Sequence, residues 1–145
     1  MMIRSIFIFT LLLHTVVYCD LGCLNHEGVM IEWWVVLKVP ASINKTGYGY
    51  IDSRSADSKF TIYANPCDSE FTPLWRTLQQ INGQPTQVLA WNDEWPNGNT
   101  SSTSAHSKAV IAVSKSFPNG FLLDHSIPKY PDFPNGKVNT TIATG

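Results

Sequence analysis

The stretch Ala105–Lys115, "AHSKAVIAVSK", sets a histidine and a lysine two residues apart at the head of an apolar, β-prone run. From Ala109 to Val113 both parities are apolar, which predicts a strand covered on two faces and therefore lying inside a sheet. Side chains two apart on a strand share a face, so His106 and Lys108 should project together from the strand's end.

Downstream, "SFPNG" (Ser116–Gly120) reads as a turn and "FLLDHSIP" (Phe121–Pro128) as the returning strand. A turn that pairs Ser116 with Phe121 sets His125 opposite Ala112, on the parity of His106 and Lys108. The tail from Lys129 has prolines and no period, and predicts an extended surface segment. Upstream, "EWPNGNTSSTSAH" (Glu94–His106) is a polar loop and "TQVLAWND" (Thr86–Asp93) a short strand. "SEFTPLWRTLQQI" (Ser69–Ile81) has apolar residues at 71, 74, 75, 78 and 81, the period of a helix face, with Pro73 suited to its first turn. "GYGYIDSRSADSKFTIY" (Gly47–Tyr63) gives a strand and a ribbon. "IEWWVVLKVP" (Ile31–Pro40) is apolar on both parities and predicts another strand in the middle of a sheet.

Strands outnumber helices, so the fold class is α/β in the α+β sense: a mixed β-sheet flanked by helices. The chain supplies too few helices to cover such a sheet, and a second half-domain or a second copy is expected to complete it.

Residues 1–19 stand apart. Arg4 precedes the apolar run "SIFIFTLLLHTVVYC", the layout of a secretory signal peptide cleaved before Asp20. Residues 20–145 then form one domain, with no membrane segment expected beyond the signal. Glycosylation sequons at Asn44, Asn99 and Asn139 agree with secretion. In an oxidising compartment Cys23 and Cys67 could bridge each other, or one could bridge a partner outside this chain. Charged residues are 14% of the chain and hydrophobic ones 43%, a balance that excludes a disordered chain. Ten Lys and Arg against eleven Asp and Glu leave no basic field, so a polyanion must be held locally, or at a pH where the histidines are charged.

Cleaving a phosphodiester without metal needs a group that titrates near the working pH and fixed positive charge for the phosphoryl oxygens. Imidazole and ammonium meet those needs. The spacing alone is weak, since a His-x-Lys triplet arises by chance in roughly one in five chains of this length. The competing reading is two polar residues where a strand meets solvent.

The flanking segments add specificity. "CLNHEGVMIEWWVVLKVP", "PLWRTL", "VLAWND", "HSKAV" and "GFLLDHSIPKYP" resemble, in the same order, segments of the deoxyribonuclease II family, the last matching its His-Ser-Val-Pro run. The resemblance covers nearly all of the chain after the signal. It implies a phospholipase D-like half-domain, and a metal-independent acid endonuclease that leaves 3′-phosphate ends at a site where two His-x-Lys motifs meet. It would make His106 one of the catalytic histidine pair and Lys108 the phosphate-holding residue. It also implies a bridge from Cys23 to a cysteine beyond the His-Ser-Val-Pro segment, for which Cys67 could substitute. The family chain is more than twice as long, and this sequence has one motif of two, because "HEG" at His26 and "HSI" at His125 lack the lysine. One imidazole cannot both attack and protonate on opposite sides of phosphorus, so a homodimer is expected to rebuild the site.

His125, Asn92 and Asp93 are supporting candidates, although Asn and Asp at a strand end also serve turns. Asp124 is a candidate orienting carboxylate and Lys38 a candidate phosphate contact. Trp33 and Trp34 read as core before base-stacking groups. No His/Cys/Asp cluster has metal-ligand spacing, and no cofactor is expected. DNA is the expected substrate, with the protein secreted or lysosomal. A catalytically inactive DNA-binding or decoy protein, or a truncated product, fits the same residues.

Overall fold

A computed structural model of the protein describes residues 21–39, 46–84, 86–94, 98, 107–116, 118–127 and 129–139. Residues 1–20, with the expected signal peptide, and Asn44 and Asn99 lie outside these residues. The described chain runs β1 (Cys23–Leu24), β2 (Met30–Ile31), β3 (Trp34–Lys38), β4 (Tyr48–Asp52), β5 (Thr61–Tyr63), α1 (Pro73–Gly83), β6 (Thr86–Trp91), β7 (Lys108–Ser114) and β8 (Gly120–His125), then a 3₁₀ turn at Pro134–Gly136. The α+β expectation holds. Among the described residues, however, the strands pair antiparallel in three separate sheets, β1-β2, β3-β4-β5 and β6-β7-β8, rather than in one mixed sheet.

The helix forms where the sequence period placed it, with Pro73 in its first turn. Thr72 caps it, its Oγ1 accepting from the Trp75 N–H at 3.3 Å, and Pro73 takes the first helical position, where no N–H is needed. Phe71 has φ 70° and so cannot belong to the helix. Pro73, Leu74, Thr77, Leu78 and Ile81 are buried, one face at helical spacing.

That face joins the inner face of the β6-β7-β8 sheet in one core of Leu74, Leu78, Ile81, Val110, Ala112, Phe121 and Leu123, closed by Leu21, Tyr130 and Val138. On β7, Val110 stands opposite Ala90 and Leu123, and Ala112 opposite Val88 and Phe121. The outer face is open: Leu89, Ile111 and Leu122 form one row across the three strands, with Leu89 61% and Leu122 62% exposed. On β7 itself Ala109 is buried and Ile111 half-buried on that face, so the expected double cover is present at Ala109 and incomplete beyond it among the described residues. The expectation for Ile31–Pro40 is corrected more sharply, since β3 is the edge of its sheet and Leu37 on it is 60% exposed. An apolar run on both parities implies two covers only if the described residues supply them.

The tail is also corrected. Tyr130, Pro131 and Val138 are buried, and the Asn82 side chain clamps Val138 by donating to its carbonyl at 3.0 Å and accepting from its N–H at 2.9 Å. Asn139 next to this clamp is exposed, as a glycan would require.

Cys23 and Cys67 are half-buried free thiols, and burial pushes both up in pKa. The Cys23–Cys67 bridge is not formed. Cys23 lies in β1, whose neighbours Gly22 and Leu24 hydrogen-bond Gln80 and Thr77 of α1, whereas the Cys67 carbonyl accepts from Thr72 at the helix start.

His26, in the β1-β2 turn, joins that hairpin to the second sheet. Its ring stacks on Tyr63 at 4.1 Å, meets Tyr50 edge-on at 4.4 Å, and its Nε2 lies 2.7 Å from the Tyr48 hydroxyl. Burial holds His26 below the ordinary histidine pKa, with Arg76 assisting and Glu27 and Asp52 opposing. A histidine kept neutral by folding contributes stability that is complete above about pH 6.5 and is lost as pH falls through the lowered folded value. In urea unfolding between about pH 8 and about pH 5, the wild type should lose stability on acidification. His26→Phe should lose less, and an unchanged pH dependence would refute this role for His26.

Candidate active site at the head of strand β7

Lys108 opens β7 on its inner face, and its side chain is only 3% exposed. A buried ammonium needs a carboxylate. Asp93, in the turn after β6, supplies it: Lys108 Nζ contacts Asp93 Oδ1, and the Asp93 side chain is likewise 3% exposed. The β6-β7 register makes this pairing available, because Trp91 stands opposite Ala109 and the chain beyond Trp91 runs past Lys108.

The β7-β8 register brings in His125. Lys108 pairs directly with His125, and Val113 with Gly120. This differs by four residues from the register expected of a Ser116–Phe121 turn. Because four is even, His125 keeps the expected face. The cause lies at Gly120, where a Cβ would come 2.3 Å from the Ala112 carbonyl oxygen, so only glycine fits that closing pair. Residues directly opposite on antiparallel strands hold their Cβ atoms about 5 Å apart, which makes Lys108 and His125 immediate neighbours.

The His125 Nδ1 accepts from the Ile127 N–H at 3.2 Å. That bond assigns the neutral ring its tautomer, with the proton on Nε2. Nε2 is buried and has no hydrogen-bond partner among the described residues. Burial, and then the Lys108 charge, hold His125 below the ordinary histidine pKa, with Asp124 opposing. Its Nε2–H, without a hydrogen-bond partner among the described residues, is suited to an oxyanion or phosphoryl oxygen.

Asn92 serves the turn foreseen for it and also ties the tail to the end of β6. Its Oδ1 accepts from the Glu94 N–H at 2.9 Å, a turn closure, and its Nδ2 donates to the Tyr130 carbonyl at 3.0 Å. The Tyr130 ring meets His125 edge-on at 5.9 Å, so the tail, β6, β7 and β8 close around one polar enclosure. Sequence reading missed Tyr130, and it missed Glu94, whose Oε2 is buried with no hydrogen-bond partner among the described residues. A lysine on the apolar face of a strand was the available signal, since it predicts a carboxylate at the adjoining strand end.

Asp124 lies opposite Ala109, on the parity opposite to His125, with its side chain exposed, and its charge opposes the lowering of the His125 pKa. Lys38 is exposed on β3. Trp34 reaches the core, its Nε1 donating to Thr77 Oγ1 at 3.3 Å, while Trp33 is exposed. His106 lies outside the described residues; its neighbour Ser107 accepts from Trp91 Nε1 at 3.0 Å. No group of three or more His, Cys, Asp or Glu among the described residues could hold a metal ion, and no helix among them is long and apolar enough to cross a membrane.

The sequence matches the family model for Deoxyribonuclease II over residues 22–143. The chain belongs to the deoxyribonuclease II family. It is 31% identical over 122 residues to cell death-related nuclease 6 of Caenorhabditis elegans, covering 75% of this chain and 31% of that protein. It is 30% identical to deoxyribonuclease-2-beta of Rattus norvegicus over 124 residues and to that of Homo sapiens over 125, in each case 79% of this chain and 34% of the relative. The chain thus spans about a third of the length of these family members. No solved structure matches it.

The ion pair has a measurable consequence. Lys108→Met leaves Asp93 buried without its cation and should destabilise the protein by about 3–5 kcal/mol, whereas Lys108→Met with Asp93→Leu should recover most of that loss. Urea unfolding checks both. Equal destabilisation by the single and double variants would show that the pair is not the source.

Proposed function

We propose that this protein is a metal-independent acid endodeoxyribonuclease, hydrolysing DNA phosphodiester bonds to 3′-phosphate ends through His-x-Lys chemistry. The observation that carries the proposal is the placement of Lys108 beside the free Nε2–H of His125 at the head of β7, in a chain whose family membership spans residues 22–143. Lys108 holds a non-bridging phosphoryl oxygen and His125 donates to another. His106, two residues before Lys108, acts as nucleophile or as general acid to the leaving oxygen.

A single His-x-Lys supplies only one of those two acts. The second comes from another copy of the chain, so the working form is a homodimer, each protomer being a phospholipase D-like half-domain. The exposed apolar rows on two sheets support this reading, because the described residues leave them without cover. The secretory layout of residues 1–19 and the exposed sequon at Asn139 favour a secreted or lysosomal glycoprotein.

One feature favours a second reading. Lys108 is neutralised by Asp93, as suits a family member that binds DNA without turnover.

Plasmid nicking with chelator present separates the two. A protonated histidine must donate to the leaving group, so cleavage should fall as pH rises through about 6.5, and fall more steeply than in proportion on dilution. A flat profile from about pH 5 to about pH 8 would refute the acid histidine. Strict proportionality to concentration would refute the homodimer. Salt-sensitive DNA binding with no cleavage would identify the binding protein.

A further inference from the structure

The phosphate-holding role proposed for Lys108 conflicts with where its charge is spent. Its ammonium is enclosed with the Asp93 carboxylate, both side chains 3% exposed. His125, paired directly opposite Lys108, is held below the ordinary histidine pKa by burial and then by the Lys108 charge. Among the described residues, the Lys108–Asp93 pair offers a phosphodiester no net positive charge. A phosphoryl oxygen placed on Lys108 beside Asp93 would put two anions on one cation where water does not screen their repulsion.

The turn that carries Asp93 differs from the strand that carries Lys108. Asn92 is tied to the Tyr130 carbonyl, and Lys108 is fixed in register by its pairing with His125 on β8. Asp93 sits in the turn beyond Asn92, outside the sheet ladder. A lysine stem is flexible and its ammonium is a point charge with three donors, so it can pass from one oxygen ligand to another without moving the strand.

We propose that Asp93 is an intramolecular competitor for Lys108: it occupies the ammonium in the resting chain, and a phosphodiester docked against His125 displaces it. This regulatory contact rests on the reading of Lys108 as a phosphate ligand. Asp93 is then a positioning residue that sets how much binding energy a phosphate must bring, and it raises the threshold against weakly held anions.

The test is the affinity of the purified protein for a short duplex DNA, with chelator and at one pH, for the wild type, Asp93→Asn, Lys108→Met and the double variant. Asparagine keeps an oxygen acceptor for Lys108 and removes only the charge. Asp93→Asn should bind about tenfold tighter at about 50 mM salt, with a salt dependence steeper by roughly one phosphate contact. Lys108→Met should bind more weakly, and the double variant should match Lys108→Met. If Lys108→Met weakens binding but Asp93→Asn does not tighten it, Lys108 remains a phosphate ligand and the competition is refuted. An equal gain from Asp93→Asn with and without Lys108 would reveal long-range repulsion and refute it too. If Lys108→Met leaves binding unchanged, the phosphate role itself fails, and the competition with it.

Should Asp93→Asn not fold, carbon NMR of the wild-type Asp93 carboxylate under titration with inorganic phosphate decides. A shift absent from chloride controls at equal ionic strength supports displacement, and no shift refutes it.

Discussion

A lysine ammonium almost wholly removed from water is the constraint around which this chain is arranged. Such a charge costs several kcal/mol unless a carboxylate meets it with good geometry. Asp93 does so from the adjoining strand end. That requirement fixes how the end of β6 lies against the start of β7, and β8 is then set by the clearance that Gly120 gives the Ala112 carbonyl. From these two local conditions follow the Lys108–His125 pair, the closure by Asn92 and Tyr130, and the single inner face on which α1 packs.

The polar end of the molecule is therefore highly determined while its apolar outer faces are not. Leu37 with Ile62 on one sheet and Leu89 with Leu122 on another are each about 60% exposed. Isolated exposed leucines are ordinary, but aligned rows across neighbouring strands are what interfaces are made from. This contrast agrees with the proposed second copy: the chain completes one half of a polar site and leaves hydrophobic surface for whatever completes the other. The buried carboxylates suit the same arrangement, since a half-site already neutral by itself stays stable until its partner and a phosphodiester arrive.

Much of this was legible in the sequence, and the failures have physical causes. The helix was readable because Leu74, Leu78 and Ile81 repeat at its period and Pro73 suits its first turn; Phe71, counted on the same face, lies outside because it adopts a positive φ that propensity does not reveal. The face of His125 was readable from parity, but its partner was not, because the register depends on a missing Cβ at Gly120 rather than on turn residues alone. Ile31–Pro40 was misread as a central strand because its composition reports a need for cover without saying what supplies it. Tyr130 and Val138 escaped because two anchors eight residues apart leave no period. The ion pair could have been anticipated from a lysine on an apolar strand face, although the choice of Asp93 over Asp124 depends on which face each carboxylate takes.

The account turns on whether "HSK" at residues 106–108 is half of a hydrolytic site. The most direct measurement is nicking of supercoiled plasmid at about pH 5 with chelator present, comparing the wild type with His106→Ala, with circular dichroism confirming that both are folded. The account predicts that the wild type cuts and that the substitution lowers the rate by about two orders of magnitude or more. Equal cutting by both proteins, or no cutting by the folded wild type, would contradict it.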